Sequence, residues 1–183
     1  MKPSCFLERK RGLTQSVTLM ILLVLSVVLA TGTVGLYTLS VTTSAMKTEH
    51  LVIRSARIWA DSSGSQAALH VENIGGRDAL ITSIEVGFVE EGWDSVFYAV
   101  GEGGIMEPAE GLNITGAFNH TVSGLEYSFE PVTGSIMIPV SGSVLIYVDN
   151  PETVDIQDLG MVVEVIVYTS TLPYMTMDDV EAP

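Results

Sequence analysis

Residues able to do chemistry are few and scattered in this 183-residue chain. The three histidines, His50, His70 and His120, stand apart, and Cys5 is the single cysteine, so neither an intrachain disulfide nor an all-cysteine metal site can form. Asp149, Glu152, Asp155 and Asp158 recur at every third position before Gly160. Oxygen-rich loops hold Ca2+, but this is not EF-hand spacing, and a solvated turn or short helix accounts for it. No Gly-x-Ser-x-Gly elbow, His-Glu-x-x-His pair or Walker loop occurs, so the expectation is a protein with no catalytic residue, no metal and no cofactor. What remains is chemistry done to the chain. Asn113-Ile114-Thr115 and Asn119-His120-Thr121 are acceptor sequons for N-linked sugar.

Charge narrows the class further. The chain carries 22 acids against 8 bases, a net charge of -14, and has no basic run beyond its first eleven positions. Phosphate backbones need clustered Lys and Arg, so a nucleic-acid partner is excluded. The first fifty residues are the most informative. Nothing between Arg11 and Lys47 is charged, and Val17 to Ala30 is interrupted only by Thr18 and Ser26. As a helix, the 35 positions from Gly12 to Met46 would run about 52 Å, against a hydrocarbon core of about 30 Å. Lys2, Arg9, Lys10 and Arg11 precede this stretch against the single acid Glu8. By the positive-inside rule the N-terminus stays cytoplasmic and the remainder faces outward. A secretory signal with Ala30-Thr31-Gly32 as its small-residue site and a plain uncleaved anchor also fit the segment.

Arg9-Lys10-Arg11-Gly12, then Leu13-Thr14-Gln15-Ser16, then the apolar run, resembles the class III signal of archaeal type IV pilins and archaellins. The resemblance implies a membrane aspartyl peptidase cutting between Gly12 and Leu13, with Arg9, Lys10 and Arg11 as the recognised leader. A glycine before the scissile bond lets an extended backbone approach the protease closely. The cut removes bases that would be costly among packed apolar helices and leaves the helix attached. Bacterial type IV pilins carry a glutamate five residues into the mature chain. That position is Val17 here, which speaks against a bacterial relative. Thr14 and Ser16 are candidate N-caps of the mature helix, and Ala30, Gly32 and Gly35 would allow helices to approach closely.

From Leu51 the pattern changes to short β-branched and aromatic runs between turn signals. Strands are expected at 51–60, 66–73, 79–88, 95–100, 112–118, 135–140, 143–148 and 161–168. The fold class expected is therefore α+β: a long N-terminal hydrophobic helix followed by an antiparallel β-sandwich head. The domains read as a leader at 1–12, an assembly helix at 13–48 and an extracellular head at 49–183, with an acidic C-terminal tail from Leu172 to Pro183 loose on the surface. Asn73 to Asp78, followed by Ala79 to Ile84, also resembles a strand-turn-strand pattern of archaeal pilin heads. His70 reads as an ordinary sheet histidine, and Trp59, Trp93, Phe97 and Tyr98 as packing residues. After the cut the chain keeps four bases, Lys47, Arg54, Arg57 and Arg77, against 21 acids, a net charge of -17. Those bases form a collar near the stem that could meet acids of neighbouring heads.

The expected function is a structural subunit of an archaeal type IV-like extracellular filament, an adhesive pilus before an archaellum, polymerising through the apolar helix. The resemblance implies as partners copies of itself in a helical homopolymer, a prepilin peptidase, the type IV assembly machinery and the membrane that holds the precursor. The alternative is a non-polymerising, membrane-anchored β-domain that binds envelope components, stator-like or associated with a surface layer. A secreted enzyme or solute-binding module is the third class, and no residue constellation speaks for it.

Overall fold

The computed structural model describes residues 5–45, 48–101, 106–110, 114, 116–122 and 124–183. They form two compact units that divide after Ala45. The first is one helix, α1 (Cys5–Ala45). In the uncut chain it extends ahead of Leu13, because Cys5 to Arg11 contain no glycine or proline to stop it, and Thr14 and Ser16 lie within it.

The second unit is built from strands: β1 (Leu51–Ala60), β2 (Ser65–Asn73), β3 (Ala79–Val86), β4 (Val89–Glu90), β5 (Val96–Gly101), β6 (Phe118–Val122), β7 (Leu125–Pro131), β8 (Ile136–Ile138), β9 (Ser143–Asp149), β10 (Val162–Thr169) and β11 (Pro173–Glu181). They pair in the order β4-β3-β10-β11-β1-β2-β9-β5-β7-β6, with β8 added to β3. All pairs are antiparallel except β1 with β11, where Ile58 lies beside Val180. The chain is thus α+β, an apolar helix followed by a large, mostly antiparallel sheet.

Two apolar clusters hold this unit. One is aliphatic and combines Ile58, Leu69, Val71, Val144 and Ile146 from β1, β2 and β9 with Ile81, Ile84, Ile138, Val165 and Val167 from β3, β8 and β10. The other is aromatic, formed by Trp59, Phe97, Phe129 and Tyr147, with Phe118 against them. Phe118 and Phe129 stack at 4.6 Å, and Tyr147 meets Phe129 edge-on at 5.3 Å, both favourable ring geometries. Alternation along β9 sends Val144, Ile146 and Val148 to the first cluster and Leu145 and Tyr147 to the second. That double burial explains why β9 reads as a continuous apolar run.

Three sequence expectations change. The strand expected at 79–88 ends at Val86, because Gly87 (φ 57) and Phe88 (φ 71) make a two-residue turn that pairs Val86 with Val89. The strand expected at 112–118 falls partly outside the described residues. Ile114 is a buried loop residue and pairing begins only at Phe118. The tail from Leu172 is not loose, since β11 bonds along β10 on one side and meets β1 on the other. Its acids Asp179 and Glu181 are exposed, while Val180 enters the aliphatic cluster.

Candidate functional site

Helix α1 contains a 27-residue stretch, Gln15–Val41, that is long and apolar enough to cross a membrane. Its large side chains are exposed along the whole length, from Val17 to Val41. An isolated apolar surface of this kind needs lipid or other helices around it. Its hydroxyls do not oppose that. Ser26 donates to the Leu23 carbonyl, Thr31 to Val27, Thr33 to Leu29 and Thr38 to Val34. These four hydroxyls are thereby satisfied within their own helix, as a lipid or dry protein environment requires. A Cβ built on Gly32 or Gly35 meets nothing within 4 Å among the described residues of the helix.

Gly12 and Leu13 lie in the backbone of the same helix. The side chains of Arg9, Lys10 and Arg11 lie outside the described residues. A peptidase binds extended substrate, so a cut at Gly12 requires the first turns of α1 to unwind. A glycine inside a helix lowers that cost by about 1 kcal/mol relative to alanine.

The head fastens its own entry segment, which the sequence did not announce. The His50 carbonyl accepts from Ile74 N at 2.9 Å and the Thr48 carbonyl from Gly76 N at 3.1 Å. Gly75 makes this approach possible: a Cβ there would sit 2.4 Å from His50 N. Asn73, fully buried, holds the turn by accepting from Gly75 N at 3.0 Å and donating through Nδ2 to the Arg77 carbonyl at 2.8 Å. Consequently Asn73 to Asp78 does not form a hairpin; β2 pairs with β1 and β9, and β3 pairs with β10, β4 and β8. On the other side of the entry segment, Thr169 donates to the buried Glu49 carboxylate. The Asn-x-Gly-Gly run was the one available signal for this fastening.

Of the two sequons, Asn113 lies outside the described residues. Asn119 is exposed on β6, and Thr121, two residues on, is exposed on the same face. Asn119 Nδ2 donates to Glu126 Oε1 at 3.3 Å. Two bases of the collar have acid partners within the β-unit: Arg54 Nε is 2.5 Å from Glu72 Oε2, and Arg57 Nη1 is 3.5 Å from Glu181 Oε2. Lys47 lies outside the described residues.

The remaining chemistry is sparse. Ile156–Asp158 form a single 3-10 turn, with Asp155 and Asp158 in a reciprocal capping box, which gives the spaced acids a structural role. Among the described residues no group of three or more His, Cys, Asp or Glu is placed to hold a metal ion. His70 is buried with both ring nitrogens unpartnered, and burial holds its pKa below the ordinary value, with Arg54 adding to the effect and Glu72 opposing it. A shallow polar cleft of about 570 Å³ lies beside the β1–β2 turn, lined by Asp61, Ser63, Gln66, Asp149 and Asn150 over Trp59. Asp61 is already engaged, accepting from Ser63 N at 2.6 Å, from the Ser63 hydroxyl at 2.5 Å and from Gly64 N at 3.1 Å. Burial raises the pKa of Asp149. No family model matches the chain, and no curated protein matches it.

Proposed function

We propose that this protein is the structural subunit of an extracellular filament of the archaeal type IV kind, most simply an adhesive pilus. The observation that carries the reading is the exposed span Gln15–Val41, apolar all round, in which Ser26, Thr31, Thr33 and Thr38 bond to backbone carbonyls of their own helix. It is preceded by Arg9-Lys10-Arg11-Gly12 and followed by a β-unit with its own core. Held in the membrane, the precursor has lipid as its cover. Removal of the basic leader after Gly12 leaves a helix whose natural cover is other copies of itself. In this reading the β-unit is a sandwich head facing outward. The aliphatic cluster shared by β3, β8 and β10 with β1, β2 and β9 supports two packed layers. Asn119, exposed beside Thr121, is the glycan acceptor.

The unbroken helix through Gly12 also suits an uncleaved anchor carrying a binding domain. The two separate on processing. Gly12→Val places a β-branched side chain before the scissile bond and is expected to hold the protein in the membrane fraction with its leader intact, abolishing filaments. Filaments unchanged in number and a normal mature N-terminus in that variant would overturn the proposal.

A further inference from the structure

The cleft beside the β1–β2 turn is held in shape by backbone bonds on each side. Asp61 N donates to the Gly64 carbonyl at 2.9 Å, Asn150 N to the Ser65 carbonyl at 2.8 Å and Asp149 N to the Ser95 carbonyl at 2.8 Å. Asn150 takes a left-handed φ of 53°, which asparagine tolerates and most side chains resist. Gly64 leaves room for its amide, since a Cβ there would stand 3.2 Å from Asn150 Oδ1. Trp59 and Ile114 supply the apolar part of the lining. The volume of about 570 Å³ falls within the range of small-molecule sites, about 300–1,000 Å³.

The chemistry of the lining narrows the ligand class. Asp61 and Asp149 are its charged side chains, and no lysine, arginine or histidine joins them among the described residues, so anions are repelled. A metal ion is no better served, because no group of three or more His, Cys, Asp or Glu among the described residues is placed to hold one. An organic ammonium gains most from open aromatic faces, and Trp59, 5% exposed, offers none. A wholly apolar molecule would strip water from the polar groups and leave them unpaired. A neutral molecule rich in hydroxyls suits them. The three protein donors to Asp61 all reach Oδ1, which leaves Oδ2 able to accept from a ligand hydroxyl. The Asn150 side chain can accept one hydroxyl and donate to another, and C–H groups meet the apolar part of the lining.

We infer that this cleft binds a neutral saccharide, held by the carboxylate of Asp61 and the side-chain amide of Asn150. The site lies wholly within the β-unit, so the inference goes beyond the filament reading and does not depend on it. Calorimetric titration of the full chain in a sugar-free detergent tests it, with glucose, mannose, galactose, N-acetylglucosamine and maltose as probes. Ca2+, ethanolamine and inorganic phosphate are the comparisons. At least one sugar is expected to bind with a millimolar or tighter Kd. Asn150→Gly removes the amide and still permits the left-handed backbone. Asp61→Asn keeps an oxygen for the three turn donors and replaces the second oxygen with a donor. Each variant is expected to weaken the sugar by about tenfold, the loss of a hydrogen bond or two, while the head still unfolds cooperatively. No binding of any of these sugars would overturn the inference and leave the filament reading standing. So would sugar binding that neither variant weakens, or binding of Ca2+, ethanolamine or phosphate in place of the sugars. Sugar binding by a chain that forms no filaments on its native cells would overturn the filament reading alone.

Discussion

Helix α1 and strand β9 are made from nearly the same residues and have opposite surroundings. Strand β9 reads Ser-Val-Leu-Ile-Tyr-Val-Asp and is buried at six of its seven positions, because β2 and β5 flank it and an apolar cluster covers each face. Helix α1 carries Leu, Val, Ile and Met from Val17 to Val41, and all of these side chains are exposed. Hydrophobicity therefore says only that a segment must be covered, and the rest of the chain decides whether the cover is internal. For β9 it is. For α1 the apolar side chains from Val17 to Val41 stay exposed, and in the proposed function their cover is lipid first and other copies of the chain afterwards.

The comparison is broken most severely from the head side. Phe129→Ala removes a fully buried ring stacked on Phe118 and set edge-on to Tyr147. The expected cost is about 3–5 kcal/mol, read as a loss of head stability in thermal or denaturant unfolding with the helix still membrane-associated. Val24→Asp tests the other side. A carboxylate at mid-span is expected to cost about 2.5–3.5 kcal/mol of membrane insertion. The variant should lose membrane association and assembly while the head's unfolding midpoint stays fixed. Equal effects of both variants on both readouts would mean that the two units are not independent.

A smaller effect sharpens the contrast, because ionisation matters only where the chain supplies its own dry interior. His70 has a folded pKa below its unfolded value because burial penalises the imidazolium. Above about pH 6.5 both states are neutral and the full stability is present. As pH falls below that value the unfolded state takes up protons that the folded state refuses, so stability declines. Glu91, Asp149 and Asp178 have the opposite sign, because burial raises their folded pKa values. Their contribution is present below the unfolded carboxylate range and is lost as pH rises above it through their raised folded pKa values. The expected contribution of His70 to the profile is a decline in head stability from about pH 7 towards about pH 5.5. His70→Leu should flatten it.

Legibility followed the same division between internal and external cover. The apolar helix and β1, β2, β9 and β10 were readable because periodicity and turn residues act locally. The capped turn at Asp155 and the packing roles of Trp59 and Phe97 were readable for the same reason. Strand β11 was not, since Met175, Met177, Asp178 and Asp179 have little intrinsic strand preference and acquire it from β10 and β1. Strands β6 and β7 are equally polar in sequence, and burial of Phe129 and Val122 fixes them. The fastening of Thr48 to His50 by the Asn73 turn depends on residues distant in sequence, and its close backbone approach shows only in space. Within the candidate site the apolar span was legible, because its residues are contiguous.

In the proposed function α1 loses its basic leader and is then covered by other copies of itself. Mass spectrometry of the N-terminal peptide from surface material sheared off native cells addresses it most directly. A mature chain beginning at Leu13, recovered in the sedimentable filament fraction, is the predicted result. A chain that retains Arg9 to Gly12 and is confined to the membrane fraction would contradict the claim.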